Sequence, residues 1–218
     1  MIWDNDFAIS VIPALLQGLL VTVQITVLGT LLAALLGLAF AVVRQLAVPV
    51  VSQAVAFAVT FIRGTPLLVQ AYCAFFVLPG YGISADAFTT GAIVIGINYS
   101  AYMAEVYRSG IQGVHRGQWE ACTALGLPAS RTWGKVILPQ ALRSVVPMLG
   151  NYLIQMFKDS AVLSAITVVE LLATAQAIGT SNFRYLEPLT LAAVLFLIIS
   201  YPSSRLVGRL ERRYAPQH

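Results

Sequence analysis

From Phe7 to Val43 the chain carries not one charged residue, and Arg44 closes the run. A bilayer-spanning helix needs about 20 mostly apolar residues. This run exceeds that, so any fold for the chain must place it in a non-aqueous surrounding. The rest of the sequence agrees. Hydrophobic residues make up 58% of the 218 residues and charged ones only 10%. Mean hydropathy is +0.81. A soluble domain averages about 25% charged residues. The composition excludes a soluble globular protein, a disordered tail and a basic-patch nucleic-acid binder, so no nucleic acid is expected as a partner. It predicts an all-α integral membrane protein, with membrane lipid around it.

The amino terminus, Met1-Ile2-Trp3-Asp4-Asn5-Asp6, is acidic where a signal peptide would be basic. The first apolar stretch is therefore expected to stay as a membrane helix. Cys73 lies in an apolar run and Cys122 in a polar one, which predicts no disulfide, and no metal-ligand spacing exists.

Five spans are expected within a single transmembrane domain, residues 1–218. They cover about 14–43, Val50–Leu78, which ends at Pro79-Gly80, Ala87–Gly110, 144–163 and Leu186–Leu206. Cytoplasmic loops carry the excess of Lys and Arg. With the N-terminus outside, Arg44, Arg108, Arg116, Arg131, Lys135, Arg143, Arg205, Arg209, Arg212 and Arg213 fall inside, and Arg184 falls outside. Arg63 and Lys158 remain within membrane segments. Residues 211–218 read as a short inner tail. Gly29, Ala33, Gly37 and Ala41 recur every fourth residue, a spacing that lets two membrane helices approach closely. The partner of that seam is another helix of this chain or a second subunit.

Arg63-Gly64-Thr65-Pro66 interrupts the second span. Gly64 is expected in the left-handed conformation, with Thr65 capping a second piece and Pro66 in its first turn. Broken helices at membrane depth line cavities or are covered by protein. An intramembrane charge marks a candidate site. Lys158 and Asp159 interrupt the otherwise apolar fourth span, Gln155 lies one turn before Asp159, and Asn98 stands midway along the third. Arg63, Asn98, Gln155, Lys158 and Asp159 are thus the candidate substrate-path residues. Arg63 is a candidate ion-pair partner for Asp159. After the fourth span, Thr167-Val168-Val169-Glu170 reads as a capping box, Ile166 and Leu171 as its staple and Gly179 as its stop. That gives a short outer helix over 167–179, with Glu170 in a structural role.

The polar segment 111–143 is too hydrophilic to enter the membrane and too short to be a domain. It reads as two short helices, about Gln118–Leu125 and Pro128–Leu138, the second ending before Pro139. Two such helices cannot bury much surface alone and need a partner. Here Glu120-Ala121-Cys122, then Gly126, then Leu138-Pro139 resembles the EAA loop of bacterial ABC importer permeases: Glu-Ala-Ala, three residues, Gly, nine residues, Ile, one residue, Leu-Pro. Cys122 replaces the second Ala and Val136 the Ile. Phe61–Gln70, Ala101–Glu105, Arg116–Glu120, Ile137–Arg143 and Lys158-Asp159-Ser160 are similar to the polar amino acid branch of that family. Met156–Ser160 with Phe183–Pro188 most resembles its ectoine and hydroxyectoine uptake permeases.

The resemblance implies a bacterial cytoplasmic (inner) membrane permease that works beside a second permease, identical or sister. An extracytoplasmic solute-binding protein would deliver substrate. An ATP-binding ATPase subunit would receive the coupling segment, with Gly117, Gln118, Glu120, Ala121, Gly126, Leu138 and Pro139 as the docking residues. The chain lacks a phosphate loop, since Gly134-Lys135 has no glycine at the required earlier position. ATP is therefore expected on the partner, and this chain is expected to hold no cofactor and to be no enzyme. A secondary transporter or channel for a small zwitterion would share the broken helix and the buried charges. A membrane enzyme would need a nucleophile–base pair, and His115 stands alone in an inner loop.

Overall fold

The computed structural model describes residues 3–45 and 48–214, for Tyr214 its backbone alone. Among these residues every regular element is a helix or helical turn. Helix α1 (Asn5–Val43) starts well before residue 14, because the Asp4 carboxylate caps it by accepting from the Asp6 and Phe7 amides. Pro13 is absorbed inside it. Helix α2 (Pro49–Gly64) is followed, after a 102° bend, by α3 (Leu67–Tyr72). The chain continues through a π turn (Cys73–Val77) and a 3-10 turn (Leu78–Tyr81), and the left-handed residue that stops it is Gly82.

The break itself differs from the expected one. Gly64 is the last helical residue of α2 and has no positive φ. Thr65 and Pro66 are both extended, and Pro66 precedes the first turn of α3. The cause is steric: the residue before a proline is pushed out of the α region. Thr65 is that residue.

Helix α4 (Ala87–Gln112) is the buried axis of the molecule. The small residues of α1 fit against it. A Cβ added to Gly37 would stand 2.9 Å from the Ser100 carbonyl and 2.9 Å from Met103 Cβ, and one on Gly29 would stand 2.7 Å from Ile95. Ala33 and Ala41 are fully buried. The seam therefore closes within this chain. Because α4 is wrapped by protein, it tolerates Asn98, Ser100 and Thr90 on buried faces.

Helix α5 (Arg116–Ala124) stops at Leu125-Gly126. The second helix of the polar segment, α6 (Ala129–Arg131), does not end before Pro139. It widens into a π turn (Thr132–Ile137) and runs straight into α7 (Leu138–Asp159). Proline lacks an N–H and its ring crowds the carbonyl four residues back. The widened turn admits Pro139, and the Gln140 side chain donates to the Val136 carbonyl at 2.9 Å. Helix α7 tightens into a 3-10 stretch (Ser160–Ile166) that ends at left-handed Thr167.

The outer helix also starts and ends later than 167–179. Helix α8 is Leu171–Asn182, and Glu170 is itself the cap, accepting from the Leu172 and Ala173 amides at 2.8 and 2.7 Å. The stop is left-handed Phe183. Gly179 is instead a contact point, with room only for the Tyr185 ring. Helix α9 (Leu186–Tyr214) packs on α7 through Val207 against Gly150 and Phe196 against Phe157. Of the predicted inner tail, residues 211–214 continue α9 and 215–218 lie outside the described residues.

Among the described residues two helices are each long and apolar enough to cross a membrane, Asn5–Val43 and Leu186–Arg213, with mean hydropathy 2.4 and 1.6 in their most apolar stretches. Two bent pairs add to these: Pro49–Gly64 with Leu67–Tyr81, and Ala129–Ile166 with Leu171–Asn182, the latter bent by 48°. Cys73 and Cys122 are both free thiols.

Candidate functional site

The break between α2 and α3 opens one wall of a cavity of about 490 Å³. Asn98, Tyr99 and Tyr102 of α4 form a second wall, and Tyr152, Gln155 and Asp159 of α7 a third. Residues three or four apart on a helix share a face. That spacing aligns Tyr152, Gln155 and Asp159 in one stripe, and Asn98 and Tyr99 with Tyr102 in another.

Asp159 receives two donors. The Tyr99 hydroxyl donates to Oδ2 at 2.5 Å, and the Gln155 amide donates to Oδ1 at 3.0 Å. Each oxygen keeps acceptor capacity for a further donor. Arg63 does not pair with Asp159. Its guanidinium lies over the Tyr102 ring, 5.4 Å from the centroid, and among the described residues it forms no salt bridge. One cavity thus holds an anion and a cation that leave each other free.

The rings of Tyr99, Tyr102 and Tyr152 stand 5.9 Å apart in every pairing. They form an aromatic surface between the two charges. These tyrosines were not read as candidates from the sequence. The usable signal was their helical spacing from Asn98 and from Gln155 and Asp159. Asn98 is buried and donates to Gln70 Oε1 at 3.2 Å. Lys158 is not brought to this cavity. It is exposed and lines a separate apolar cleft with Leu172, Leu189 and Phe196. Consecutive residues on a helix point about 100° apart, so Asp159 facing the cavity turns Lys158 away.

The polar segment forms a second candidate surface. Trp119 packs edge-on against Trp133 with centroids 5.3 Å apart, and Cys122 is buried. Those contacts fix one side of α5. Gln118, Glu120, Ala121 and Leu125 remain exposed, Leu125 by 74%. The His115 ring nitrogen Nδ1 accepts from the Gly117 amide at 3.1 Å and caps the helix start. At its end, the Leu127 amide donates to the Cys122 carbonyl and the Gly126 amide to that of Thr123, both at 3.0 Å. This pairing needs a left-handed residue at the turn. Gly126 supplies it with φ +61°. Leu138 is partly buried and Pro139 exposed, both in the continuous helix below.

What the cavity can do is hold a small dipolar molecule: an ammonium near Asp159, a carboxylate near Arg63 and an apolar body on the tyrosines. Among the described residues no cluster of three metal-ligating side chains exists. A helical chain with long apolar helices, a cavity lined by charged and aromatic side chains and a capped, exposed polar helix has the make-up of a membrane transport component.

Residues 29–216 match the family described as binding-protein-dependent transport system inner membrane component, and the chain belongs to that family. Its members are membrane transport subunits and not enzymes. The chain is 49% identical over 210 residues to a probable amino-acid ABC transporter permease protein, y4tG, of Sinorhizobium fredii, covering 94% of this chain and 91% of the relative. It is 38% identical to the glutamine transport system permease protein GlnP of Escherichia coli, covering 93% of each. The crystal structure of an amino acid ABC transporter with histidines contains a chain that superposes with a TM-score of 0.90 at 35% identity, covering 98% of this chain and 100% of that one.

Proposed function

We propose that the chain is the permease subunit of an ATP-driven importer of small, net-neutral zwitterions: polar amino acids or amino-acid-like compatible solutes such as ectoine and hydroxyectoine. The observation that carries the substrate class is the pair of unpaired opposite charges, Arg63 and Asp159, on one cavity. Relatives described as glutamine and amino-acid permeases support the same chemistry.

In this reading the chain crosses the inner membrane five times: through α1, the broken α2–α3 pair, α4, α6–α7 and α9. The N-terminus is outside and α5 inside. An extracytoplasmic binding protein delivers the substrate, and a second permease completes the path. An ATPase subunit docks on the exposed side of α5 around Gln118, Glu120, Ala121 and Gly126. ATP-driven closure of the ATPase pair moves the docked helices and switches access from one side to the other. Tyr99 and Gln155 hold Asp159, and Asn98 shapes the path beside them. Lys158 has no part in it.

The decisive experiment purifies the chain from its native membrane in mild detergent and measures Mg-ATP hydrolysis of the preparation. A soluble-type ATPase is expected to co-purify, and Glu120→Lys is expected to lose it while the membrane part stays intact. Ectoine, glutamine, arginine and glutamate are then compared as stimulants in the presence of the binding protein. The net-neutral compounds should stimulate and the net-charged ones should not. A preparation that transports on an ion gradient without any ATPase would overturn the reading.

A further inference from the structure

We infer that Gln70 is a positioning residue: its side-chain amide splints the break in the second span and thereby sets where Arg63 stands across the cavity from Asp159. The consequence for transport rests on the importer reading above, whereas the consequence for the bend does not.

A break of this kind strands carbonyls at the end of α2. In an unbroken helix the Ile62 carbonyl would accept from the amide of residue 66. That residue is Pro66, which has no N–H. Gln70 Nε2 takes its place, donating to the Ile62 carbonyl at 2.8 Å. The same nitrogen lies 3.2 Å from the Thr65 carbonyl and 2.6 Å from Thr65 Oγ1. The neighbouring carbonyls are met in the same way. The Thr65 hydroxyl reaches that of Phe61 at 3.1 Å, and the Tyr102 hydroxyl reaches that of Arg63 at 3.5 Å. These carbonyls lie part-buried or exposed along the cavity wall, and side chains meet them there.

The orientation of the amide follows from its neighbours. The Ile62 and Thr65 carbonyls can only accept, so the NH₂ end must face them. The oxygen end then faces Asn98, whose NH₂ donates to it. One side chain, rooted on α3, therefore ties the last turn of α2, the hinge residue Thr65 and the central helix α4. Between α2 and α3 the backbone keeps one long bond, from the Thr65 amide to the Ile62 carbonyl at 3.4 Å, and Pro66 fixes its own φ. Neither of these ties α3 to α2, so the 102° angle rests on side-chain contacts across the joint, the Gln70 amide among them. Arg63 sits on the far side of that joint, so the angle decides its distance from Asp159. Glutamate lacks the donors, lysine lacks the acceptor, and asparagine is one methylene shorter.

The test uses Gln70→Met, which keeps the length and removes both polar ends, and Thr65→Val, which removes the hydroxyl and keeps the extended backbone. Spin labels are placed on the two arms at Gln53→Cys and Val77→Cys, with Cys73→Ser and Cys122→Ala, in the assembled complex in lipid nanodiscs. Both 53 and 77 are exposed. Pulsed dipolar spectroscopy is expected to show one narrow distance in the parent, a shifted or broadened distribution for Gln70→Met and a smaller change for Thr65→Val. Uptake by Gln70→Met, without labels, should show KM raised roughly tenfold with little change in maximal rate, the scale of losing a few hydrogen bonds that orient a binding group. An unchanged distance distribution in Gln70→Met overturns the splint. A changed distribution with parental KM overturns the positioning role, and if Arg63→Gln also keeps parental KM, the cavity reading falls with it.

Discussion

Asp159 has two hydrogen-bond donors from its own chain and an open side toward the cavity, and this makes it the most sensitive single position. The Tyr99 and Gln155 donors orient the carboxylate and leave it acceptor capacity toward the cavity. Asp159→Asn keeps the shape and removes the charge. Losing a charge-assisted bond of about 1.5–3 kcal/mol should raise KM roughly 10- to 100-fold. Zero-trans uptake into proteoliposomes would measure it, and a parental KM would remove Asp159 from the path. Asp159, Gln155, Arg63 and Asn98 were legible because polar groups inside apolar runs are rare and therefore informative. Tyr99, Tyr102 and Tyr152 were not, because tyrosine in a membrane helix has no such scarcity. Only the convergence of α4 and α7 brings the three rings together. Lys158 stands apart for the opposite reason: its charge is visible in the sequence, but one residue's rotation around α7 carries it to another cleft.

Helix ends and helix seams are where local chemistry competes with the fold. The second span was expected to break at Arg63–Pro66, and it does, yet through proline's effect on Thr65 and not through a left-handed Gly64. The capping box at Thr167 was a plausible local pattern. The chain instead makes Thr167 a left-handed end of the preceding 3-10 stretch and uses Glu170 directly as a cap. Pro139 was expected to terminate a helix, but a π turn accommodated it. Such outcomes depend on what the neighbouring helix satisfies, which no short window of sequence contains. The α1–α4 seam gives a sharp test at this scale. Gly37→Ala forces a Cβ against the Ser100 carbonyl and Met103, an overpacking that costs about 1–3 kcal/mol. Gly208→Ala meets nothing within 4 Å, and it should raise stability by about 0.5–1 kcal/mol through helix propensity. Thermal unfolding of the detergent-solubilised chain should move the midpoint down for the first and up for the second. Equal midpoints would mean that the seam is looser than the geometry states.

Across the whole molecule, the two ends are each held by charges. At one end Glu105 of α4 pairs with Arg44, just past α1, and with Arg108 at 2.8 Å. At the other, Arg184 bridges Asp4 at 3.1 Å and Glu187 at 2.5 Å, and the Asp4 amide donates to Glu187. That clasp joins the start of α1 to the start of α9. The Phe7 amide, and then the Arg184 guanidinium, hold the Asp4 carboxyl below the usual carboxylate range. A depressed pKa in the folded state means that the stabilisation is fully present above the unfolded value of about 3.9 and is lost as pH falls through the folded value. Asp4→Asn should therefore lower the unfolding midpoint at pH 7, and its difference from the parent should vanish in strong acid. A difference that stays constant down to pH 3 would show that Asp4 acts by packing alone.

Apolar length and the scarcity of charge determined a helical membrane chain from the sequence alone, because no arrangement in water could hide so much apolar surface. Residue spacing likewise determined where the second span breaks and where α5 turns at Gly126, since both follow from backbone sterics acting over a few residues. The tertiary structure alone decided which faces meet. It closed the Gly29–Ala41 seam inside the chain, kept Arg63 apart from Asp159, gathered three tyrosines between them and turned Lys158 outward. Each of these depends on the relative placement of helices far apart in sequence, where packing and long-range hydrogen bonds outweigh local preference.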